Sequence, residues 1–91
     1  MERDFSLLLA DGVPFREVAK AIRALNIPEI RSVEAADLFR GKNVSAGKYS
    51  LMVRITFQSS EATLTDAQVS DYSAKIVTAL ESSLGAQLRS P

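Results

Sequence analysis

Two segments of the chain alternate apolar and polar residues with the period of a β-strand. In residues 4–9 the alternation places three large apolar side chains on one face: Phe5, Leu7 and Leu9. Residues 50–58 alternate most clearly, with four large apolar side chains on one face: Leu51, Val53, Ile55 and Phe57. The polar opposite face of this strand predicts a sheet that is covered on one side and open to water on the other.

Two other segments repeat their apolar residues at the spacing of an α-helix. The first is predicted to begin at Pro14, whose fixed φ suits the first helical position, and to end at Asn26. The second is predicted to begin at Thr65, which fits a capping box with Gln68, and to end before Gly85. The predicted buried stripes are Phe15, Val18, Ile22 and Leu25 in the first helix, then Val69, Tyr72, Ile76, Leu80 and Leu84 in the second.

Residues 30–39 are predicted to be extended, but strict alternation fits them poorly. It would place core and surface types together on one face: Val33, Ala35, Asp37 and Phe39. We therefore predict a bulge or twist near Ala36, and the sequence leaves the register of this strand open. A short last strand is predicted at residues 86–89, with Leu88 turned inward.

The predicted order of elements is strand, helix, strand, strand, helix, strand. Two split βαβ halves of this kind form a ferredoxin-like sandwich, an α+β fold (βαββαβ). We expect a four-stranded antiparallel sheet with both helices on one face. The open face is expected to carry the following residues, with Asp37 and Phe39 as further candidates: Ser6, Ser50, Met52, Arg54 and Thr56.

The charges of the chain balance but are unevenly distributed. A chain of 91 residues suffices for one domain, and it carries 11 cations and 11 acids. Residues 38–60 contain no acid and four cations: Arg40, Lys42, Lys48 and Arg54. This block is either a surface hairpin that bears lysines or a patch that binds an anion, and charge alone leaves both readings open.

The residue types that the chain lacks argue against catalysis. Without Cys or His it has no thiolate nucleophile and lacks both the commonest general base and the commonest transition-metal ligand. Glu34 and Asp37 would point to opposite faces unless a bulge intervenes, so they are a poor catalytic pair. Gly41 and Gly47 lack the strand-to-helix context of a phosphate loop. No apolar run approaches the roughly 18 residues of a membrane span, and no signal-peptide pattern is present.

Binding is the remaining class of function. An open sheet face with an aromatic ring, small polar groups and a basic rim is typical of RNA-binding modules, in which bases stack on the ring and cations hold phosphates. Phe39 is the candidate ring, although its pattern also fits a core aromatic. Arg54 also fits a cross-strand partner, and Ser50 a plain strand residue. Tyr49 fits either the core or the site.

Several short segments, in order along the chain, resemble one known family. They are Arg3 and Asp4, DLFRG (37–41), GKYSL (47–51), Gln58, TLTDAQV (63–69) and GAQLR (85–89). Over residues 3–89 the chain resembles the ferredoxin-fold anticodon-binding domain, which ends the β subunit of bacterial phenylalanyl-tRNA synthetase.

The resemblance implies that the ligand is the anticodon of phenylalanine tRNA. It implies that Phe39 stacks on the first anticodon base, that Asp37 contacts the edge of that base and that Ser50 lies at the same site. Phe39 replaces a usual Tyr and so loses a hydroxyl contact, while Tyr49 replaces a usual Lys or Arg. The full predicted RNA-binding set is Ser6, Asp37, Phe39, Arg40, Lys42, Lys48, Ser50 and Arg54.

The resemblance also implies a larger parent enzyme. We expect residues 1–91 to be one anticodon-binding domain, an excised C-terminal fragment of the β subunit. The parent would ligate phenylalanine to tRNA with ATP and Mg²⁺, mostly through its α subunit, in the cytoplasm. The domain itself is then expected to be non-catalytic, without a cofactor, and to have tRNA and the rest of the synthetase as its partners.

Two alternatives share the predicted fold. A regulatory or dimerisation domain would bury the open face by pairing two sheets, and Met52 on that face favours such a role. An enzyme similar to acylphosphatase would need a phosphate loop, for which the sequence offers no convincing candidate.

Overall fold

The residues that the structure describes form four strands and two helices, in the order predicted from the sequence. The computed structural model describes residues 1–41, 44, 46–59 and 63–88. The elements are β1 (Glu2–Ala10), α1 (Phe15–Arg23), β2 (Ile30–Phe39), β3 (Lys48–Phe57), α2 (Asp66–Leu84) and β4 (Gln87–Leu88). The predicted α+β, ferredoxin-like fold is confirmed.

The four strands form one antiparallel sheet in the order β2-β3-β1-β4. β1 and β3 pair along their length, from Glu2 opposite Thr56 to Ala10 opposite Lys48. Within the described part of the chain, β2 is therefore an edge strand that pairs with β3, whereas β3 has a neighbour on each side. Side chains on the open face of β2 are therefore more exposed than those of β3, as Phe39 and Ser50 show.

The core lies between the two helices and the apolar face of the sheet. All the alternating apolar residues predicted for β1 and β3 are buried, as are Val18, Ile22, Val69, Ile76 and Leu80 from the helices. The remaining members of the predicted helical stripes are partly buried against this core. Leu88 lies opposite Leu7 on the covered face, but it is 49% exposed because β4 is a short edge strand.

The ends of α2 follow the sequence signals. Thr65 Oγ1 accepts a hydrogen bond from the Gln68 backbone N–H at 3.1 Å, and Gln68 Oε1 accepts one from the Thr65 N–H at 2.9 Å. Gly85 ends the helix with a φ of +65° and donates its N–H to the carbonyl of Glu81. In α1, Pro14 is the extended residue before the helix, so the helix begins at Phe15, one residue later than predicted, and it ends at Arg23, before the predicted stop at Asn26.

A bulge in β2 turns its second half over. Ala35 lies opposite Val53, but Asp37 lies opposite the next residue back along β3, Met52, so Ala36 has no partner. Since side chains alternate between the faces of a sheet, the extra residue moves Asp37 and Phe39 to the face opposite Ala35. The predicted bulge near Ala36 is confirmed, and a second irregularity between Ile30 and Ser32 had no sequence signal.

Candidate nucleic-acid interface

The open face of the sheet is a set of rows that cross β2, β3 and β1. The strand registers define three such rows, starting at the end next to the β2–β3 loop. They are Phe39–Ser50–Leu8, then Asp37–Met52–Ser6, then Glu34–Arg54–Asp4. Every residue predicted for the open face within these rows lies there, including Asp37 and Phe39.

The ring of Phe39 is presented to solvent at the end of β2. Phe39 is 54% exposed, which excludes a role as a core aromatic. Its neighbour Leu38 is exposed to a similar extent, 51%, but belongs to the opposite face because it lies across from the buried Leu51. An exposed ring on an open sheet provides a flat surface for stacking.

Ser50 lies directly across from Phe39 and is almost completely buried. It is only 4% exposed because it is on an inner strand, with Phe39 on one side and Leu8 on the other. The sequence predicted that Ser50 contacts RNA, whereas the buried Ser50 side chain offers little surface to a ligand. Ser50 instead belongs to the floor of the sheet between Phe39 and Leu8.

Asp37 presents a carboxylate beside the exposed ring. Its Oδ1 accepts a hydrogen bond from the Leu38 backbone N–H at 2.9 Å, which orients the carboxylate at the edge of the sheet. Met52 and Ser6, both half-buried, complete the row across the sheet. A carboxylate only accepts hydrogen bonds, so Asp37 suits a donor group such as the edge N–H of a base.

Arg54 is held by an acid in the third row. Its Nε and Nη2 donate to Oδ1 and Oδ2 of Asp4 at 2.9 and 3.2 Å. The hydrogen bond from Arg54 lowers the pKa of Asp4 below its ordinary value. Glu34 lies across from Arg54 on the other side, and Glu2 lies next along β1 on the same face. The cross-strand reading of Arg54 is confirmed, and carboxylates outnumber cations at this end of the face.

Arg40 is turned away from the open face. Its guanidinium donates a hydrogen bond to the Asp11 carboxylate and lies 4.7 Å from the centre of the Tyr49 ring. Tyr49 is 3% exposed, belongs to the core and donates its hydroxyl to the carbonyl of Val13. Burial raises the pKa of Tyr49 above its ordinary value. Arg40 therefore contacts the helix-covered side of the sheet. Of the two alternatives for Tyr49, its burial selects the core residue.

Lys48 is the predicted cation that remains beside the exposed ring. It is half-buried and begins β3 opposite Ala10, on the same face as Ser50 and one row beyond Phe39. None of the ion pairs among the residues that the structure describes includes Lys48. Lys42, the other predicted loop cation, lies outside the described residues.

The described residues show neither a metal site nor a membrane helix. Within residues 1–41, 44, 46–59 and 63–88, no three His, Cys, Asp or Glu side chains are grouped so that they could hold a metal ion. In the same part of the chain, neither helix is long and apolar enough to cross a membrane.

The family of the chain follows from comparison with known proteins. The family model described as the ferredoxin-fold anticodon binding domain matches residues 1–89. The chain belongs to this family.

Among similar curated proteins are phenylalanine–tRNA ligase beta subunits. The protein of Porphyromonas gingivalis is 43% identical over 89 residues, 98% of this chain, and that of Geobacter sulfurreducens is 40% identical over 87 residues, 96% of this chain. The match covers 11% of each relative, so the chain spans about a tenth of their length.

The sequence did not identify the acidic partners of Arg54 and Arg40. The pair between Asp4 and Arg54 had a usable signal, because alternation places both residues on the open face. The pair between Asp11 and Arg40 had none, since it joins a turn to the end of an edge strand. These two pairs engage both arginines of the predicted RNA-binding set.

Proposed function

We propose that this domain recognises the anticodon of phenylalanine tRNA as a module of a phenylalanine–tRNA ligase beta subunit. The observation that carries the proposal is the exposed ring of Phe39 on an open sheet face, with the Asp37 carboxylate in the next row of the same face. The family of the chain and the names of its relatives support the same ligand.

The roles of the residues follow from their places on the face. Phe39 stacks on an anticodon base, and Asp37 accepts hydrogen bonds from the edge of that base. Lys48 holds phosphates next to the ring, and a phosphate contact by Lys42 stays a prediction from the sequence. Arg54 is engaged by Asp4 among further carboxylates, so the RNA backbone runs past the Lys48 end of the face and avoids the Arg54 end.

A titration of labelled RNA tests the proposal. The anticodon stem-loop of phenylalanine tRNA should bind the domain more tightly than a stem-loop of the same length with a scrambled anticodon loop. Equal affinity for the two RNAs would overturn the proposal of anticodon recognition.

Sedimentation of the free domain tests the rival use of the same face. A monomer that becomes heavier when the stem-loop is added is the expected result. A tight dimer that excludes the stem-loop would instead favour the dimerisation domain, because sheet-to-sheet pairing buries Met52 and Phe39 together.

The wider role belongs to the same proposal. Residues 1–91 act as one domain whose partners are tRNA, the rest of the beta subunit and the alpha subunit, in the cytoplasm. ATP and Mg²⁺ serve the ligation of phenylalanine in the parent enzyme, outside this domain. Replacement of this segment by a flexible linker in the intact ligase should weaken tRNA charging and leave phenylalanine-dependent ATP–pyrophosphate exchange unchanged. A loss of that exchange would contradict the assignment.

A further inference from the structure

Three side chains on the helix-covered side form a cluster at the end of β2. We call Asp11, Arg40 and Tyr49 the Arg40 cluster. The Arg40 guanidinium bonds to Asp11 and stacks over the ring of Tyr49, whose hydroxyl bonds to Val13 in the turn that follows β1. The cluster thus joins three places in the chain: the turn after β1, the residue that follows β2 and the start of β3.

Asp11 holds both ends of the loop between β2 and β3. Its carboxylate binds Arg40, the residue that follows β2, and its backbone N–H donates to the carbonyl of Gly47 at 2.9 Å, just before β3. Phe39 is the last residue of an edge strand, a place where strands fray. The attachment at Asp11 lies one residue beyond Phe39 and opposes that fraying.

We propose that the Arg40 cluster positions Phe39 for stacking and that Arg40 does not itself contact RNA. This inference rests on the proposed function for its RNA readout. Its geometric basis is that Arg40 contacts Tyr49, a core residue, while the Phe39 ring lies on the opposite face. A guanidinium in this position acts on a stacked base only through the backbone that the two residues share.

Amide hydrogen exchange in the free domain tests the positioning without RNA. Asp11→Asn removes the charge that holds Arg40 and keeps the backbone N–H bond to Gly47. We expect faster exchange for the amides of the β2–β3 ladder near Phe39 and Ser50, with unchanged exchange in α2. Asp71→Asn, which breaks the exposed ion pair with Lys75 on α2, is the matched control and should leave the ladder unchanged. Unchanged exchange near Phe39 in Asp11→Asn would overturn the inference.

A double-mutant cycle tests whether the effect reaches RNA through Phe39. Asp11→Asn should weaken binding of the anticodon stem-loop by about two- to fivefold, the range for an exposed ion pair. In a protein that also carries Phe39→Ala, the same substitution should have no further effect. Equal losses in both backgrounds would mean that Asp11 acts independently of Phe39, which contradicts positioning.

The salt dependence of Arg40→Gln separates positioning from phosphate contact. A lost phosphate contact lowers the slope of affinity against salt by about one, whereas a lost positioning group lowers affinity at unchanged slope. We expect an unchanged slope, and a reduced slope would overturn the inference. If the unsubstituted domain fails to bind the stem-loop, the proposed function fails, and the exchange experiment alone decides whether the cluster orders Phe39.

Discussion

Phe39 and Ser50 lie directly opposite each other across the β2–β3 ladder, yet Phe39 is 54% exposed and Ser50 only 4%. The difference comes from their strands, because β2 has a neighbour on one side and β3 has neighbours on both. A serine on the inner strand, with Leu8 on its other side, leaves the phenyl ring as the prominent feature of this row. Phe39 thus provides a flat, exposed surface at the edge of the open face.

Removal of the Phe39 ring should weaken anticodon binding and spare the fold. Phe39→Ala is expected to lower the affinity for the stem-loop by roughly 1–3 kcal/mol, the usual worth of one stacked base. Leu38→Ala is the matched control, since Leu38 is adjacent and similarly exposed but faces the other side of the sheet. Titration of both variants checks the prediction, and equal losses of affinity would contradict the assignment of the site.

Loss of Lys48 should weaken binding of any RNA. Lys48→Ala is expected to reduce the slope of log affinity against log salt by about one and to act equally on the scrambled stem-loop. Lys20→Ala on the exposed surface of α1 is the control and should leave the slope unchanged. A slope that does not change in Lys48→Ala would remove Lys48 from the interface.

Deletion of Ala36 should destabilise the domain. Without the bulge, one half of β2 must turn over, which either drives Phe39 toward the core or turns Val33 and Ala35 outward. We expect the free energy of unfolding to fall by roughly 2 kcal/mol or more, in the range of a misfitted core, with loss of stem-loop binding. Deletion of Ala46, which is exposed in the β2–β3 loop, should cost less. Denaturant unfolding of both deletion variants checks the prediction, and equal losses in the free energy of unfolding would contradict it.

The glycine after α2 is needed for its backbone conformation. Gly85→Ala should cost about 1 kcal/mol of stability, because Gly85 has a φ of +65° and an alanine there adopts the left-handed conformation at a cost. No heavy atom lies within 4 Å of the added methyl group, so the cost is conformational and not steric. Gly12→Ala, which also meets no atom within 4 Å and has no left-handed φ, should cost less in the same thermal unfolding assay.

Stability should fall at high pH as Tyr49 ionises. Burial raises the pKa of Tyr49 in the folded state above its unfolded value of about 10, so the folded state favours the neutral phenol. The contribution of this phenol is complete below that value and is lost as the pH rises through the folded pKa. As the pH rises above about 10, Tyr49→Phe should therefore lose less stability than the unsubstituted domain. The same decline in both proteins, measured by denaturant unfolding, would show that Tyr49 does not contribute.

Much of the architecture was predictable because its signals are local. The capping box of Thr65 and Gln68 and the glycine at position 85 set the ends of α2 within a few residues of chain. The misfit of Asp37 and Phe39 to strict alternation also predicted the bulge, because one extra residue in a strand reverses the alternation of all residues after it. Alternation left open whether Phe39 lies in the core or on the open face, because that depends on the position of the extra residue in β2.

The charged part of the site was harder to predict. In the sequence, Arg40 and Arg54 cannot be told apart from Lys48, because all three are cations in the same block without an acid. Their partners Asp11 and Asp4 lie 29 and 50 residues away in sequence, outside the basic block. Alternation gives a signal for the Asp4–Arg54 pair, because it places both residues on the open face, but it gives none for the Asp11–Arg40 pair. The burial of Ser50 was equally hidden, because it depends on Leu8 and Phe39 from two other strands.

The sequence by itself determined which segments form strands and helices, which face of each is apolar and that β2 breaks its alternation near Ala36. These properties depend on side chains within about one turn or one pleat of each other, so the linear order already contains them. Only the tertiary structure decided which predicted contacts remain available to a ligand. Strand pairing brought Asp4 to Arg54, and the turn after β1 brought Asp11 to Arg40. The same tertiary structure left the ring of Phe39 exposed, with Asp37 and Lys48 in the neighbouring rows.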